Sequence, residues 1–543
     1  MSLHLIGGMA AASNFRRTAF VERSKVASAV RPAAPAAPRL AVAALAVAAG
    51  FSLVVLLASV VGPYGWFIDE LYYLACAKRL AWGYVDHPPL SIAVLALIRG
   101  LAGDTMWAVR LPAALATGAA ALIAALLARR WGGGAFAQSL AALCVCASPM
   151  AMVLGSFFSM NAFELLLWPA AALVLVRLLE SDDARWWLPF GLLMGFGLLN
   201  KHTTVLFLGA VGVALLPVPA RRHLLTPWPW LGALAALVVV APNLVWQQAN
   251  GWPSLEFYRN AQRFKNIPTP PMKVLANQVL FAGPGSLPVW LAGLAFLLRD
   301  RAARHLRLLG YAFLCLLALM LVSGSSRPDR IGAFYPILFA AGATVISAWS
   351  ERPGRGWLRP ATLVLVAASG LFVAPITLPL LPPERVAAYA QATGIVPRLE
   401  RGKTSPLPQW LADRTGWPEF VSDVEAVVSS LSAEDRSRAI LYAPSYGQAG
   451  ALELFGPARG LPPTVICNHN TYHLWSAGHT DSDVLVAAGA REQDLRRLYR
   501  DVRQARVHRC EYCMSWRNEM PIFVARGTRE PLSRYWPELR HFE

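Results

Sequence analysis

Between Leu40 and Leu381 the chain is built from apolar runs of about 20 residues, each long enough to cross a hydrocarbon core roughly 30 Å thick, and beyond Leu381 such runs stop. A chain of 543 residues with 56% hydrophobic and only 15% charged residues has too little polar surface to cover itself in water. The sequence therefore predicts an α-helical polytopic membrane protein. The runs are Leu40–Val61, Trp107–Leu127, Ala135–Val153, Phe163–Leu179, Trp187–Leu199, Thr203–Val218, Trp228–Trp246, Leu280–Leu298, Leu306–Val322, Gly332–Ser347 and Leu358–Leu381. Each read as one span, they give about eleven crossings.

The formal net charge of +18 would suggest nucleic acid in a soluble protein. Here the basic residues sit in short segments between apolar runs, where they report membrane orientation, so no nucleic-acid partner is expected. Every second loop is basic: Arg129 and Arg130, Arg177 with Arg185, Arg221 and Arg222, Arg299 to Arg307, and Arg352 to Arg359. With positive loops inside and an odd number of spans, residues 382–543 are expected outside a cell (inner) membrane. Residues 1–39, Arg-rich with Ala/Pro repetition and no apolar core, read as a disordered cytosolic tail. Residues 40–381 form the membrane domain. Residues 382–543 alternate short apolar runs (Ala439–Ala443, Val465–Cys467, Val484–Ala488, Ile522–Ala525) with helix-like stretches, which predicts a small α/β extracytoplasmic domain.

The first outer loop, residues 62–102, carries "FIDELYYLACAKRLAWGYVDHPPLS", which places Asp69, Glu70, Asp86 and His87 in one segment at a membrane surface. Acids are expensive beside lipid, and so invite a functional reading. Asp69 and Glu70 also suit the first turn of a helix, where the dipole favours negative charge, and on a helix they point about 100° apart. Lys201 and His202 end an apolar run on the expected outer side, where a cation can snorkel to the interface or meet a lipid phosphate. Arg259, Arg263 and Lys265 lie in an outer loop against the charge bias, which favours the phosphate role.

This loop, followed by "SFFSMNAFELLLW" and "GLLMGFGLLNKHTT", resembles the glycosyltransferase family 39 group of GT-C membrane enzymes, which includes protein O-mannosyltransferases and lipid A aminoarabinose transferases. The resemblance covers roughly residues 60 to 350. It implies a GT-C-like fold and transfer of a sugar from a polyprenyl-phosphate carrier to an envelope acceptor (lipid, glycan or protein) on the outer side, with membrane lipid as the surrounding partner. By the same resemblance Asp69 matches the family's first-loop Asp and acts as general base or acceptor organiser, with Glu70 in support. Asp86 and His87 match an element that contacts substrate. His87 could meet the donor phosphate, or Asp69, Asp86 and His87 could ligate a divalent metal. Asn161 stands where many relatives have Asp, with Glu164 one turn later. In "SSRPDRIGAFYP", Arg327 or Arg330 takes the place of a relative's lysine. The expected substrate-binding set is therefore Asp86, His87, Asn161, Glu164, Lys201, His202, Arg259 and Arg330. The C-terminal domain resembles the extra outer domain of a bacterial branch of the group.

Cys510 and Cys513 lie in the expected outer domain, where an oxidising compartment favours a disulfide between them or with Cys467. His469 and His473 nearby leave a zinc site as the alternative. Two other function classes are weighed. A transporter would place polar groups at mid-membrane and show a two-fold repeat, neither of which is evident here. A catalytically silent relative would keep the fold and bind envelope glycans through its C-terminal domain.

Overall fold

The computed structural model describes residues 38–301, 303–324, 327–395 and 400–543. The expected cytosolic tail lies, apart from Pro38 and Arg39, outside the described residues. Leu40 to Glu543 form one compact unit.

All eleven apolar runs are helical, but they differ in length. Among the described residues six helices can cross a membrane by length and composition: Val42–Val61, Met106–Arg130, Met160–Ser181, Pro227–Ala249, Arg304–Ser323 and Leu358–Thr377. Three runs are bent helix pairs: Ala135–Cys146 with Pro149–Gly155 (64°), Thr204–Leu215 with Pro219–Leu225 (105°), and Pro271–Ala282 with Pro284–Arg299 (94°). The breaks have local causes. Ser148 accepts a hydrogen bond from the Ala151 amide at 3.2 Å and so starts a new helix at Pro149. Gly283 supplies a φ of 97° before Pro284. The remaining two runs, Trp187–Asn200 and Tyr335–Ser350, have 14 and 16 residues. At 1.5 Å per residue they reach only about 21–24 Å. By length and composition, six to nine of the eleven runs among the described residues reach a membrane span, and the two short helices are the ones that fall below that length.

The loops sort to the two ends of the bundle as the charge pattern predicts. At one end Arg130 pairs with Glu180 at 2.5 Å, and His223 bridges Asp182 (3.0 Å) and the Trp187 indole (3.2 Å). At the other end, the helix Ile68–Lys78 of the first long loop and the loop around Asp86 meet the segments around Asn161, Lys201, Tyr258 and Arg327.

The C-terminal sheet domain sits over that second end. Its five strands, β1 (Ala439–Tyr442), β2 (Val465–Ile466), β3 (Val484–Ala488), β4 (Tyr499–His508) and β5 (Met520–Thr528), lie in the order β2-β1-β3-β5-β4. The β2-β1-β3 part is parallel, and β5 and β4 join it antiparallel. Strand alternation divides the sheet's side chains between two cores. Leu441, Val484, Val486, Ile522 and Val524 share a buried cluster with Leu71, Tyr72 and Tyr73 of the first loop, whereas Ile440, Leu485, Phe523 and Ala525 pack with Leu495 and Trp536. Docking is close: a Cβ on Gly450 of the helix Tyr446–Phe455 would lie 2.6 Å from the Leu71 carbonyl oxygen. Arg79 adds a two-pronged ion pair to Glu453 (2.8 and 2.9 Å) and lies over the Trp475 ring. Cys510 and Cys513 are joined as a disulfide, while Cys467 is a free buried thiol.

Candidate active site

A cavity of about 260 Å³ opens where the sheet domain meets this end of the bundle. Met150, Val153 and Leu154 from the second half of a bent pair, with Phe157 just beyond it and Phe281 and Trp410, give it an apolar wall. The remaining walls are charged. Asp69, Asp86, Asp329, Glu400 and Asp413 face it together with Lys201, Lys265, Arg327, Arg330 and Lys403. Broken helices are tolerated at membrane depth where they line such a cavity, which ties the bends to the site.

Asp69 lies in the first turn of the helix Ile68–Lys78, half-buried on the cavity wall. Its Oδ1 accepts a hydrogen bond from the Tyr446 phenol at 2.8 Å. Burial pushes the Asp69 carboxyl above the usual carboxylate range, assisted by Asp86 and Glu400 and opposed by Tyr446 and Lys265. Asp86 is oriented by Tyr72, whose hydroxyl donates to Oδ1 at 2.8 Å and lies 2.6 Å from Thr471 Oγ1 of the sheet domain.

Glu70 takes a structural part instead of supporting Asp69 at the cavity. Fully buried, it accepts two-pronged bonds from Arg110 (2.9 Å from Nε, 2.7 Å from Nη2) and from the Phe67 and Phe158 amides (2.8 and 2.9 Å). The helical offset of about 100° turns it into the protein interior. Burial would raise the Glu70 carboxyl, but Arg110, with Arg414 and the Phe67 amide, holds it below its ordinary range. His87 also departs from expectation. Its ring is fully buried among Tyr72, Tyr73 and Tyr84, Nδ1 lies 3.0 Å from the Pro88 carbonyl oxygen, and Nε2 is 4.0 Å from Asp86. Asp69, Asp86 and His87 do not converge as a metal-ligand trio, and among the described residues no group of three or more His, Cys, Asp or Glu is placed to hold a metal ion. Zinc is not supported at Cys467, His469 and His473 either. His469 stacks on His541 and His473 on Trp536.

Of the residues expected to bind substrate, Asp86, Asn161, Lys201 and Arg330 reach the cavity. Glu164 stands behind Lys201: its Oε2 accepts from Nζ at 2.7 Å, its other oxygen accepts from Thr203, and Asp329 approaches the same ammonium at 3.5 Å. Lys201 is thus already balanced by two carboxylates. His202 lies beside the cavity wall against Tyr258 (3.0 Å) and Asn243 (3.4 Å), and burial lowers its pKa to about 4. Arg259 is exposed and away from the cavity.

Sequence reasoning passed over Tyr446, Glu400, Lys403, Asp413 and Asp329. Glu400 and Lys403 in "LERGK" did carry the signal that singled out Lys265, charge on the side the bias leaves neutral. Asp413 is buried beside Asp69, its carbonyl accepting from the Ile68 amide at 3.1 Å, and burial raises its carboxyl to about 6.

A bundle of straight and broken apolar helices, with a charged cavity at one end roofed by a small sheet domain, defines a polytopic membrane protein of GT-C glycosyltransferase-like fold. The family model for dolichyl-phosphate-mannose-protein mannosyltransferase matches residues 86–246. The structure is similar to that of ArnT from Cupriavidus metallidurans bound to undecaprenyl phosphate, with a TM-score of 0.58 and 16% identity over 88% of this chain and 97% of that chain. Apo ArnT from the same organism gives 0.56 at 16% identity, with the same coverage. No curated protein matches the chain by sequence.

Proposed function

We propose that the protein is a membrane glycosyltransferase that moves a sugar from a polyprenyl-phosphate carrier to an acceptor on the extracytoplasmic side, with Asp69 as general base. The observation that carries this reading is one cavity holding a half-buried carboxylate, a set of cations and an apolar wall. The fold shared with ArnT, which binds undecaprenyl phosphate, supports it.

Each feature has a task in the reaction. The acceptor's nucleophilic atom forms a bond to the anomeric carbon as the bond from that carbon to the phosphate oxygen breaks. The departing electron pair stays on the phosphate, and the acceptor's proton passes to Asp69. Phosphate leaves without needing a proton, so one carboxylate suffices, unlike the pair a glycosidase requires. Burial makes Asp69 a stronger base than a free carboxylate, and the surrounding cations stabilise the charge growing on the phosphate. The apolar wall of Met150, Phe157 and Phe281 suits the first isoprene units.

Comparing lipid-linked sugars and envelope glycans in cells with and without the protein tests this reading. The expected result is a missing glycan modification together with accumulation of one polyprenyl-phosphate sugar. Identical profiles in both would contradict it.

A further inference from the structure

Glu400 is 7% exposed, and three cations from three separate segments converge on its carboxylate. Lys265 and Arg327 approach Oε1 at 3.6 and 3.3 Å, and Lys403 donates to Oε2 at 2.5 Å. Two of these segments are tied together: Asn266 and Glu400 form a β-bridge, and the Arg401 amide donates to the Lys265 carbonyl at 2.9 Å. A π-helical turn, Ala261–Lys265, aims Lys265 inward. Burial alone would raise the Glu400 carboxyl, yet Lys265, Lys403 and Arg327 together hold it below the usual carboxylate range.

Lys265 and Arg327 share Oε1 at longer range than Lys403 approaches Oε2, and Arg327 also pairs with Asp329 at 3.1 Å. A phosphate group offers three non-bridging oxygens in tetrahedral array and up to twice the charge. Glu400 and its cations face the same cavity as Asp69. We propose that Lys265, Arg327 and Lys403 form a phosphate-group subsite in which the Glu400 carboxylate competes with the incoming phosphate. The proposal deepens the glycosyltransferase reading, on which it rests for the identity of the phosphate's owner. It moves the phosphate from Lys201, already balanced by Glu164 and Asp329, to a cluster that includes a residue of the C-terminal domain.

The test is titration of the purified full-length protein with undecaprenyl phosphate and, separately, with inorganic phosphate, each alongside thermal unfolding. Glu400→Gln should bind the phosphate group about tenfold more tightly, because it removes the competing charge, and Lys403→Met about tenfold more weakly, because it removes one charge-assisted hydrogen bond. Should Glu400→Gln fail to fold, Glu400→Asp, whose shorter arm withdraws from the cations, should also bind more tightly. A folded Glu400 variant with unchanged or weaker affinity, or unchanged affinity in Lys403→Met, would overturn the subsite. If inorganic phosphate shows these shifts while undecaprenyl phosphate does not bind, the subsite stands and the lipid-carrier reading falls. Binding of neither by folded wild-type protein would overturn both.

Discussion

The Tyr446 phenol donates a 2.8 Å hydrogen bond to Asp69 Oδ1 from a residue 377 positions away in the chain. The C-terminal sheet domain therefore holds the proposed base directly, through a helix that packs against the helix carrying Asp69. A donor on a carboxylate stabilises its charged form. Tyr446→Phe removes that donor but keeps the ring, so the Asp69 carboxyl should rise further. Transfer requires the deprotonated base and is lost as pH falls through that pKa. The acid limb of the pH–rate profile should consequently move to higher pH in Tyr446→Phe. An acid limb unchanged from wild type would show that the bond does not tune the base.

Glu70 should separate from its neighbour Asp69 in stability. Glu70→Gln breaks a fully buried pair and leaves Arg110 without its counter-charge, which typically costs about 3–5 kcal/mol. Thermal unfolding in detergent should show a marked loss for Glu70→Gln and little for Asp69→Asn. Equal loss in both would place Asp69 in the packed interior.

Lys201→Met should also act through stability. It leaves Glu164 buried beside Asp329 without the shared ammonium, a loss of the same order, about 3–5 kcal/mol. Unfolding measurements check the first expectation, and undecaprenyl phosphate titration checks that affinity per folded molecule falls less than in Lys403→Met.

We expect the end of the bundle bearing the cavity to face away from the cytosol, because the opposite loops are the basic ones. A reporter fused after Leu381 should be active only outside the cytosol. Cytosolic activity would reverse the orientation.

The parts of this fold written in local chemistry were legible in the sequence. Loop charge sorted the two ends of the bundle, and apolar runs located the long apolar helices among the described residues and strands β1, β2, β3 and β5. Strand β4, "YRDVRQARVH", was hidden because an edge strand facing water carries charge in place of an apolar run. The bends were not legible, because run length does not reveal where Ser148 or Gly283 breaks a helix. In the site, Asp69, Asp86 and Lys201 stood out as polar groups beside apolar runs, and Asn161 came only from the family resemblance. Tyr446 could not, since an unremarkable tyrosine in a soluble helix acquires its role through a hydrogen bond to a residue 377 positions distant. Glu70 and Asp69 are adjacent acids in the sequence, and only the helical offset divides them into an interior ion pair and a cavity carboxylate.

The central claim is that Asp69 takes the acceptor's proton, and Asp69→Asn tests it because the change keeps the shape and removes the base. With wild type and variant purified in parallel, transfer from a polyprenyl-phosphate sugar to the acceptor identified by the glycan comparison should fall about 100- to 10,000-fold. Affinity for undecaprenyl phosphate and the unfolding temperature should stay near wild type. Near-normal transfer by folded Asp69→Asn protein would contradict the account and remove this carboxylate from the reaction.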